Sequence, residues 1–568
     1  MKFLCVLCVL CGFGSYAAAI DREAFTFTKY DLEVRLEPEQ QRLGVRGTIT
    51  LRNDSAQPQK VAVLQISSSL DWRSIKIDGK PVQFVSQPFV SDIDHTGGLS
   101  EAVVTLPAEI EPKDSVEIEV GYEGVIPIDA TRLTNVGVPE KLAKHTSWDQ
   151  IGPSFTAVRG AGYVAWYPIA TESADFSEGN SLFEVGERWR KREAESEFVA
   201  HLKLAGAGTE GPPVLLCESI SGFSAEFGRN WSQLSDCNYS RLGTTIPSFV
   251  SAKYLDKSKP PLGLLVLAGH ENGAAKYAAA VDPATKLVTD WFGAPTTPVA
   301  IADMGDSNAA PFESGTLLLT PMAAEDPQLA EINAVHMLVH SAFNSPRPWV
   351  NEGLAHFAEA LYREKTDGRE AAIVLLGLHQ GPFVDEEKDV AGTPPKSPAK
   401  PLATTFDETY YRSKAAYVWW MLRDMVGDDA LKKAIHNYRA ADDTDPKYVQ
   451  KLVEAASKRD LGWFFDDWVY QDHGLPDFRV QAAHPWKNES GVQIVTVTLE
   501  NLGSAAAEVP FVVRCENGQD TRQRLQVNAK STATTRVEQP CGSPSEVVVN
   551  DASVPESDLN NNIFKIGK

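Results

Sequence analysis

The sequence predicts a multi-domain α+β protein, with a β-rich N-terminal part, a helix-rich α/β middle and a small β-rich C-terminal part. Three observations predict it. The chain has 568 residues, more than one hydrophobic core organises. Its apolar residues recur every second position up to about residue 250 and again beyond residue 477, and at helical spacing in between. Its 43% hydrophobic and 23% charged content is that of a folded globular chain rather than a disordered or fibrous one.

The first nineteen residues read as a separate unit. Lys2 gives a short basic start, residues 3–16 are apolar, and Ala17-Ala18-Ala19 is a small-residue cleavage site, which together predict a signal peptide. The apolar run is too short to cross a bilayer, and no later stretch approaches the ~20 apolar residues that crossing needs. An exported chain, periplasmic or extracellular, with no transmembrane anchor is therefore expected. A lipid anchor through Cys8 or Cys11 is disfavoured, because neither is preceded by the small pair of a lipobox.

Residues 20–250 predict the N-terminal β-domain. Tyr30, Leu32, Val34 and Leu36 alternate with Asp31, Glu33 and Arg35, and Val116, Ile118, Val120 and Tyr122 alternate with polar neighbours. A period of two with one polar face describes half-buried antiparallel strands. Asn53-Asp54-Ser55 and Asp78-Gly79 supply turns.

Residues 251–476 predict the α/β domain. Helical spacing runs through 274–292, 324–343, 348–365 and 410–426, with short strands expected at 298–304 and 315–320. Residues 385–401 hold four prolines among charged residues and read as a loop or lid. Residues 477–557 predict an Ig-like β-sandwich, with Asn517-Gly518 as a hairpin turn. Residues 558–568 are a polar tail expected to fray.

Three of the seven cysteines fall within the signal peptide. Cys217, Cys237, Cys515 and Cys541 remain, and four cysteines allow three pairings. Cys217–Cys237 with Cys515–Cys541 keeps each bridge within one domain. None has the C-x-x-C spacing of a cysteine zinc site. The formal net charge of −22 repels phosphate backbones and anionic membranes, which excludes nucleic acid as an expected partner.

The residues with chemical potential lie close together. His336 and His340 are four apart in a predicted helix, so both imidazoles share one face and can reach one metal ion. Glu352 follows twelve residues later at the start of the next helix. Two histidines and a carboxylate leave a fourth tetrahedral position open, the pattern of a catalytic zinc. Taken alone, a histidine pair at this spacing arises by chance, and Glu352 has a bland reading as an acid at a helix N-terminus.

In their order along the chain, these segments resemble the aminopeptidase N (membrane alanyl aminopeptidase) family of gluzincin metallopeptidases. His336-Met337-Leu338-Val339-His340 stands where that family has H-E-x-x-H, and Trp349-Val350-Asn351-Glu352-Gly353-Leu354-Ala355 resembles its N-E-G segment. Pro311-Phe312-Glu313-Ser314-Gly315 resembles G-A-M-E-N, and Tyr411-Arg412-Ser413-Lys414-Ala415-Ala416 resembles Y-x-K-G-A. Residues 246–254 resemble the last strand of the family's N-terminal β-domain, and Trp463 to Trp468 with Gly474-Leu475-Pro476 the end of its catalytic region.

The resemblance implies a thermolysin-like fold for the middle domain and zinc held by His336, His340 and Glu352. It implies that Glu313 receives the α-amino group of a peptide or protein N-terminus. It also implies that Tyr411 hydrogen-bonds the oxyanion of the intermediate, with Tyr410 as the alternative because Tyr411 lies three residues before Lys414, not two.

The sequence departs from the family most sharply at Met337. The family has its general-base glutamate there, and methionine has no ionisable group and only a weak acceptor sulfur. The zinc ligands are unaffected, but positioned proton transfer, worth ~10²–10⁴-fold, is lost. Three functions remain open: a secreted aminopeptidase-type metallopeptidase using a base from another segment, a zinc-containing silent peptide binder, and a metal-free interaction scaffold.

Overall fold

The computed structural model describes residues 20–179, 181–207, 212–218, 220–226, 230–324, 326–390, 400–539 and 543–567. The expected signal peptide and residues 391–399 of the expected loop lie outside the described residues. The fold is mixed α+β with several sheets.

The largest sheet has eight strands, in the order Ile220–Glu226, Asn230–Tyr239, Glu197–Ala207, Phe25–Glu37, Arg42–Asn53, Ser115–Val125, Leu70–Ile77 and Lys80–Pro81. Phe25–Glu37 pairs antiparallel with Arg42–Asn53 and parallel with Glu197–Ala207. Tyr30, Leu32, Val34 and Leu36 are buried while Asp31, Glu33 and Arg35 are exposed, so the period-two pattern sets which face meets the core. This part of the chain also contains a thirteen-residue helix, Ser181–Glu193, that was not expected. Val185, Trp189 and Glu193 are buried at helical spacing in a segment otherwise dominated by charge.

The middle of the chain is built on a five-stranded mixed sheet, ordered Leu255–Asp256, Leu262–Val266, Val299–Asp303, Leu317–Thr320, Phe312–Ser314. The central strands are parallel, and Phe312–Ser314 is an antiparallel edge strand. A long helix, Glu271–Phe292, packs on the histidine helix, Pro327–Ala342. The histidine helix in turn packs on the glutamate helix, Pro348–Asp367. The expected helix over 410–426 is two elements: a π-helical turn, Thr409–Lys414, and an α-helix, Ala415–Val426. Helix Arg369–Val390 runs through 385–390, where a loop was expected.

The C-terminal part has two sheets. One is ordered Phe478–Lys487, Gln493–Asn501, Ser531–Gln539, and the other Asp520–Val527, Ala507–Cys515, Pro544–Val549, Ile563–Lys565. The tail does not simply fray, because Ile563–Lys565 pairs antiparallel with Pro544–Val549. Backbone pairing on a sheet edge needs no apolar side chains, so composition did not reveal it. Cys217 and Cys237 form a disulfide. Cys515 is disulfide-bonded, and its expected partner, Cys541, lies outside the described residues. Among the described residues no helix is long and apolar enough to cross a membrane.

Candidate metal centre

Two proline-initiated helices and one edge strand bring the centre together. Asp326 caps the histidine helix by accepting from the Gln328 and Leu329 amides, with Pro327 in its first turn. The glutamate helix begins at Pro348 and ends at Gly368, whose φ of 90° only glycine adopts readily. Between the helices, the Ser345 amide donates to Asn351 Oδ1, which fixes the angle of the connection.

The Asn-Glu-Gly segment now has a physical reading. Glu352 is the acid that reaches the histidines. The Asn351 amide nitrogen lies 3.3 Å from His340 Nδ1 and 3.4 Å from Glu352 Oε1. Gly353 lets the glutamate helix approach its neighbour, because a Cβ there would sit 2.6 Å from the Ala415 Cβ. Any larger residue would push Glu352 away from the histidines.

The ligating atoms converge. His336 Nε2 and His340 Nε2 are 3.1 Å apart. Glu352 Oε2 lies 3.9 Å from His336 Nε2, and Glu352 Oε1 lies 3.6 Å from His340 Nε2. Glu313 Oε1 lies 2.8 Å from His336 Nε2 and 3.1 Å from His340 Nε2. One atom from each of the four residues falls within 4.8 Å of the others. The four side chains are at most 9% exposed.

These residues fit a zinc ion. Imidazole nitrogen and carboxylate oxygen are zinc donors. Among the described residues, Glu313 Oε1 and Glu352 Oε2 are buried without a hydrogen-bond partner. Glu313 Oε1 is near both imidazole nitrogens, so the possible ligand atoms crowd into one small volume. A metal on His340 Nε2 would require the ring proton on Nδ1, the nitrogen that faces the Asn351 side-chain amide at 3.3 Å.

Three residues that sequence reading passed over complete the arrangement. Glu359 Oε1 is 2.6 Å from His336 Nδ1 and 3.0 Å from His356 Nδ1. The carboxylate holds His336 by Nδ1, so that Nε2 is the nitrogen presented to a metal. Glu352, His356 and Glu359 are spaced i, i+4, i+7 on one helix face, which is the signal that would have found them. Arg412 is the third. Its Nη1 donates to Glu313 Oε2 at 3.2 Å, and its Nη2 lies 3.6 Å from Glu352 Oε2.

Burial raises the carboxyl of Glu313, but the charge of His336, the close contacts with His336 and His340, and Arg412 outweigh it and hold the group well below the usual carboxylate range. Burial lowers His336, but Glu313 and Glu359 outweigh that and hold it well above the ordinary histidine value. Burial raises Glu352, but His340 and Arg412 overcome it and lower the group.

The two tyrosines face different surroundings. Burial and Glu408 raise the Tyr411 phenol, and Arg412, Arg190 and Glu352 all act on it. Tyr410 instead has the ammonium groups of Lys400 and Lys414 over its ring, at 5.6 and 5.2 Å. Tyr411 is within the electrostatic reach of Glu352. Met337 is completely buried and belongs to the hydrophobic core of the helices.

No protein-family model matches the chain, and no curated protein matches its sequence. Among solved structures it is similar to an M1 zinc metallopeptidase from Deinococcus radiodurans, a glutamate-to-alanine mutant bound to a Tyr-Ser-Ala substrate. That protein is 14% identical over 79% of this chain and 94% of the other, with a TM-score of 0.47. At that distance the likeness assigns neither family nor chemistry, and what the centre can do follows from its own atoms.

Proposed function

We propose that this is an exported zinc-binding protein with the metal-site residues of an aminopeptidase-type metallopeptidase and without hydrolytic turnover, a pseudopeptidase. The observation that supports it is the convergence of His336, His340 and Glu352 beside a fully buried Met337. Zinc bound there supplies Lewis-acid polarisation. The chain's own residues hold the ligands: Glu359 orients His336, Asn351 touches His340 and Glu352, and Gly353 sets the helix spacing. Met337 has no proton to give or take. A peptide or protein N-terminus is the proposed partner. To reach Glu313 its ammonium must compete with the Arg412 guanidinium already on Oε2.

A second reading rests on Glu313. Its Oε1 lies about as close to both imidazoles as a base beside the metal would, so a working hydrolase would draw its proton acceptor from there.

The test pairs elemental analysis of the mature chain with hydrolysis of aminoacyl reporter substrates across pH. The expected result is one equivalent of zinc, lost in His340→Ala, and turnover at background. Brisk turnover by the native chain overturns the silent reading and favours Glu313 as base. Absence of zinc leaves the interaction scaffold.

A further inference from the structure

Resting on the zinc reading above, we infer that Glu313 is the fourth protein ligand of the centre, which closes it as a two-histidine, two-glutamate set, and that Arg412 is the positioning residue that keeps it closed.

A tetrahedral site with bonds near ~2 Å has edges of about 3.3 Å between its donor atoms. The histidine–histidine edge is 3.1 Å, and the edges from Glu313 Oε1 are 2.8 and 3.1 Å. The shortest approaches of Glu352 come from two different oxygens, Oε1 at 3.6 Å from His340 Nε2 and Oε2 at 3.9 Å from His336 Nε2. Glu313 thus sits at least as tightly on the histidine pair as Glu352, which sequence spacing alone had nominated.

The backbone under Glu313 is fixed. Its edge strand is paired through Leu318, and the neighbouring Ser314 Oγ accepts from the Ile246 amide and donates to the Ile246 carbonyl, both at 2.9 Å. Arg412 occupies the other carboxylate oxygen and reaches toward Glu352, so one guanidinium offsets the repulsion between two buried acids. With Oε1 on the metal and Oε2 on Arg412, Glu313 is free for a substrate ammonium only if the ammonium displaces Arg412 from Oε2. A zinc with four protein ligands is of the structural type, since catalytic sites keep a position open.

The experiment uses the full mature chain loaded with Co²⁺, read by visible absorption, by affinity and by exchangeable-water proton relaxation. The native chain is expected to show the intense bands of a tetrahedral ion, no exchangeable water and no response to added acetate. Glu313→Ala is expected to lose affinity beyond the ~100-fold that outer-shell changes reach, to gain exchangeable water, and to shift its spectrum when acetate fills the opened position. Arg412→Met is expected to keep the tetrahedral spectrum with about a 10-fold loss. Circular dichroism of each variant separates ligand loss from unfolding, and Glu313→Asp, which withdraws the oxygen by one methylene, is expected to fall between.

If Glu313→Ala keeps native affinity and spectrum, Glu313 is not a ligand and the inference is overturned while the zinc reading stands. If the variant keeps the metal but removes a turnover the native chain has, Glu313 is a base and the inference is equally overturned. If the native chain binds no metal, the zinc reading itself fails and the inference falls with it.

Discussion

The π-helical turn Thr409–Lys414 sends a cation into each of two buried ionic clusters, and the two differ in kind. Lys414, 1% exposed, lies 2.5 Å from Glu387 Oε1 and 3.3 Å from Asp472 Oδ1. Asp472 Oδ2 accepts from the Lys400 amide. Burial raises Glu387, as does Asp472, against the opposing charge of Lys414, so the acids and the cation of this cluster act on one another. Arg412, two residues earlier, enters a cluster where carboxylate oxygens of Glu313 and Glu352 converge with the nitrogens of His336 and His340. Buried charge is common to both. Each cluster also holds a buried carboxylate oxygen without a hydrogen-bond partner, Glu387 Oε2 in the first and Glu313 Oε1 and Glu352 Oε2 in the second. Convergence of two imidazoles and two carboxylates belongs to one, and that donor set is what a metal ion takes.

The sharpest way to break this contrast is Lys414→Met. Removing one partner from a buried ion cluster leaves uncompensated charge and is expected to destabilise the chain by about 3–5 kcal/mol, seen as a lower denaturant midpoint. The refolded chain should still take up one equivalent of zinc. A loss below about 1 kcal/mol, or loss of zinc without unfolding, would mean that the clusters are not separate in role.

Metal removal acts on the other cluster. Free zinc at a thousand times its dissociation constant stabilises the native state by about 4 kcal/mol. A chelator should abolish that increment in melting temperature for the native chain. His340→Ala, measured without metal, should show no increment to lose. A chelator-sensitive melting temperature in His340→Ala would place the metal elsewhere.

Much of this arrangement was legible in the residues. The His336–His340 spacing and the Asn351-Glu352-Gly353 segment pointed to three of the converging side chains, because helix geometry alone puts i and i+4 on one face. The alternation through Tyr30 to Leu36 gave the face of the large sheet. What was not legible depends on departures from regular geometry. A π turn carries more residues per turn than an α-helix, so the directions of Tyr410, Tyr411, Arg412 and Lys414 do not follow from α-helical spacing. Glu313 is read as a substrate contact through the resemblance to G-A-M-E-N, and its closeness to the histidines is set by an edge strand more than twenty residues away in sequence, which spacing does not give. The helix Ser181–Glu193 was passed over because its charged residues masked a short buried stripe.

A third buried acid tests whether desolvation has a measurable signature where it outweighs hydrogen bonds and the charges of Arg192 and Arg52. Glu193 accepts from the Phe27 amide and the Ser196 hydroxyl, and burial pushes its carboxyl up to about 8 against those bonds. Because the folded-state value exceeds the unfolded one, the native state holds the extra proton between about pH 4.5 and 8. Stability therefore falls as pH rises through that window. Glu193→Gln, which cannot ionise, should flatten the dependence and be more stable than the native chain at pH 8 by on the order of 3 kcal/mol, the difference vanishing toward pH 5. Parallel curves for the two proteins would show that the group ionises freely in the fold.

The smallest expected effect bears most directly on Met337. Leucine is close to methionine in volume and helix propensity, and volume-conserving swaps in a core usually change stability by less than about 1.5 kcal/mol. If Met337 is a packing residue, as its complete burial in the helical core indicates, Met337→Leu should leave the melting temperature nearly unchanged and zinc affinity and stoichiometry intact. Removing the thioether matters only if the sulfur contributes to the centre as a ligand or weak acceptor. The cobalt spectrum resolves this without reference to turnover, because a thioether ligand would change the visible bands on replacement by a hydrocarbon. An unchanged spectrum makes position 337 a hydrophobic plug beside a metal set completed by His336, His340, Glu352 and Glu313. In that case Met337→Glu alone should place a carboxyl in an apolar pocket, where burial keeps it protonated, and a gain of hydrolysis should require Glu313→Gln in the same chain to free a coordination position. A rise in aminoacyl hydrolysis with Met337→Glu alone would show that the centre already has an open side.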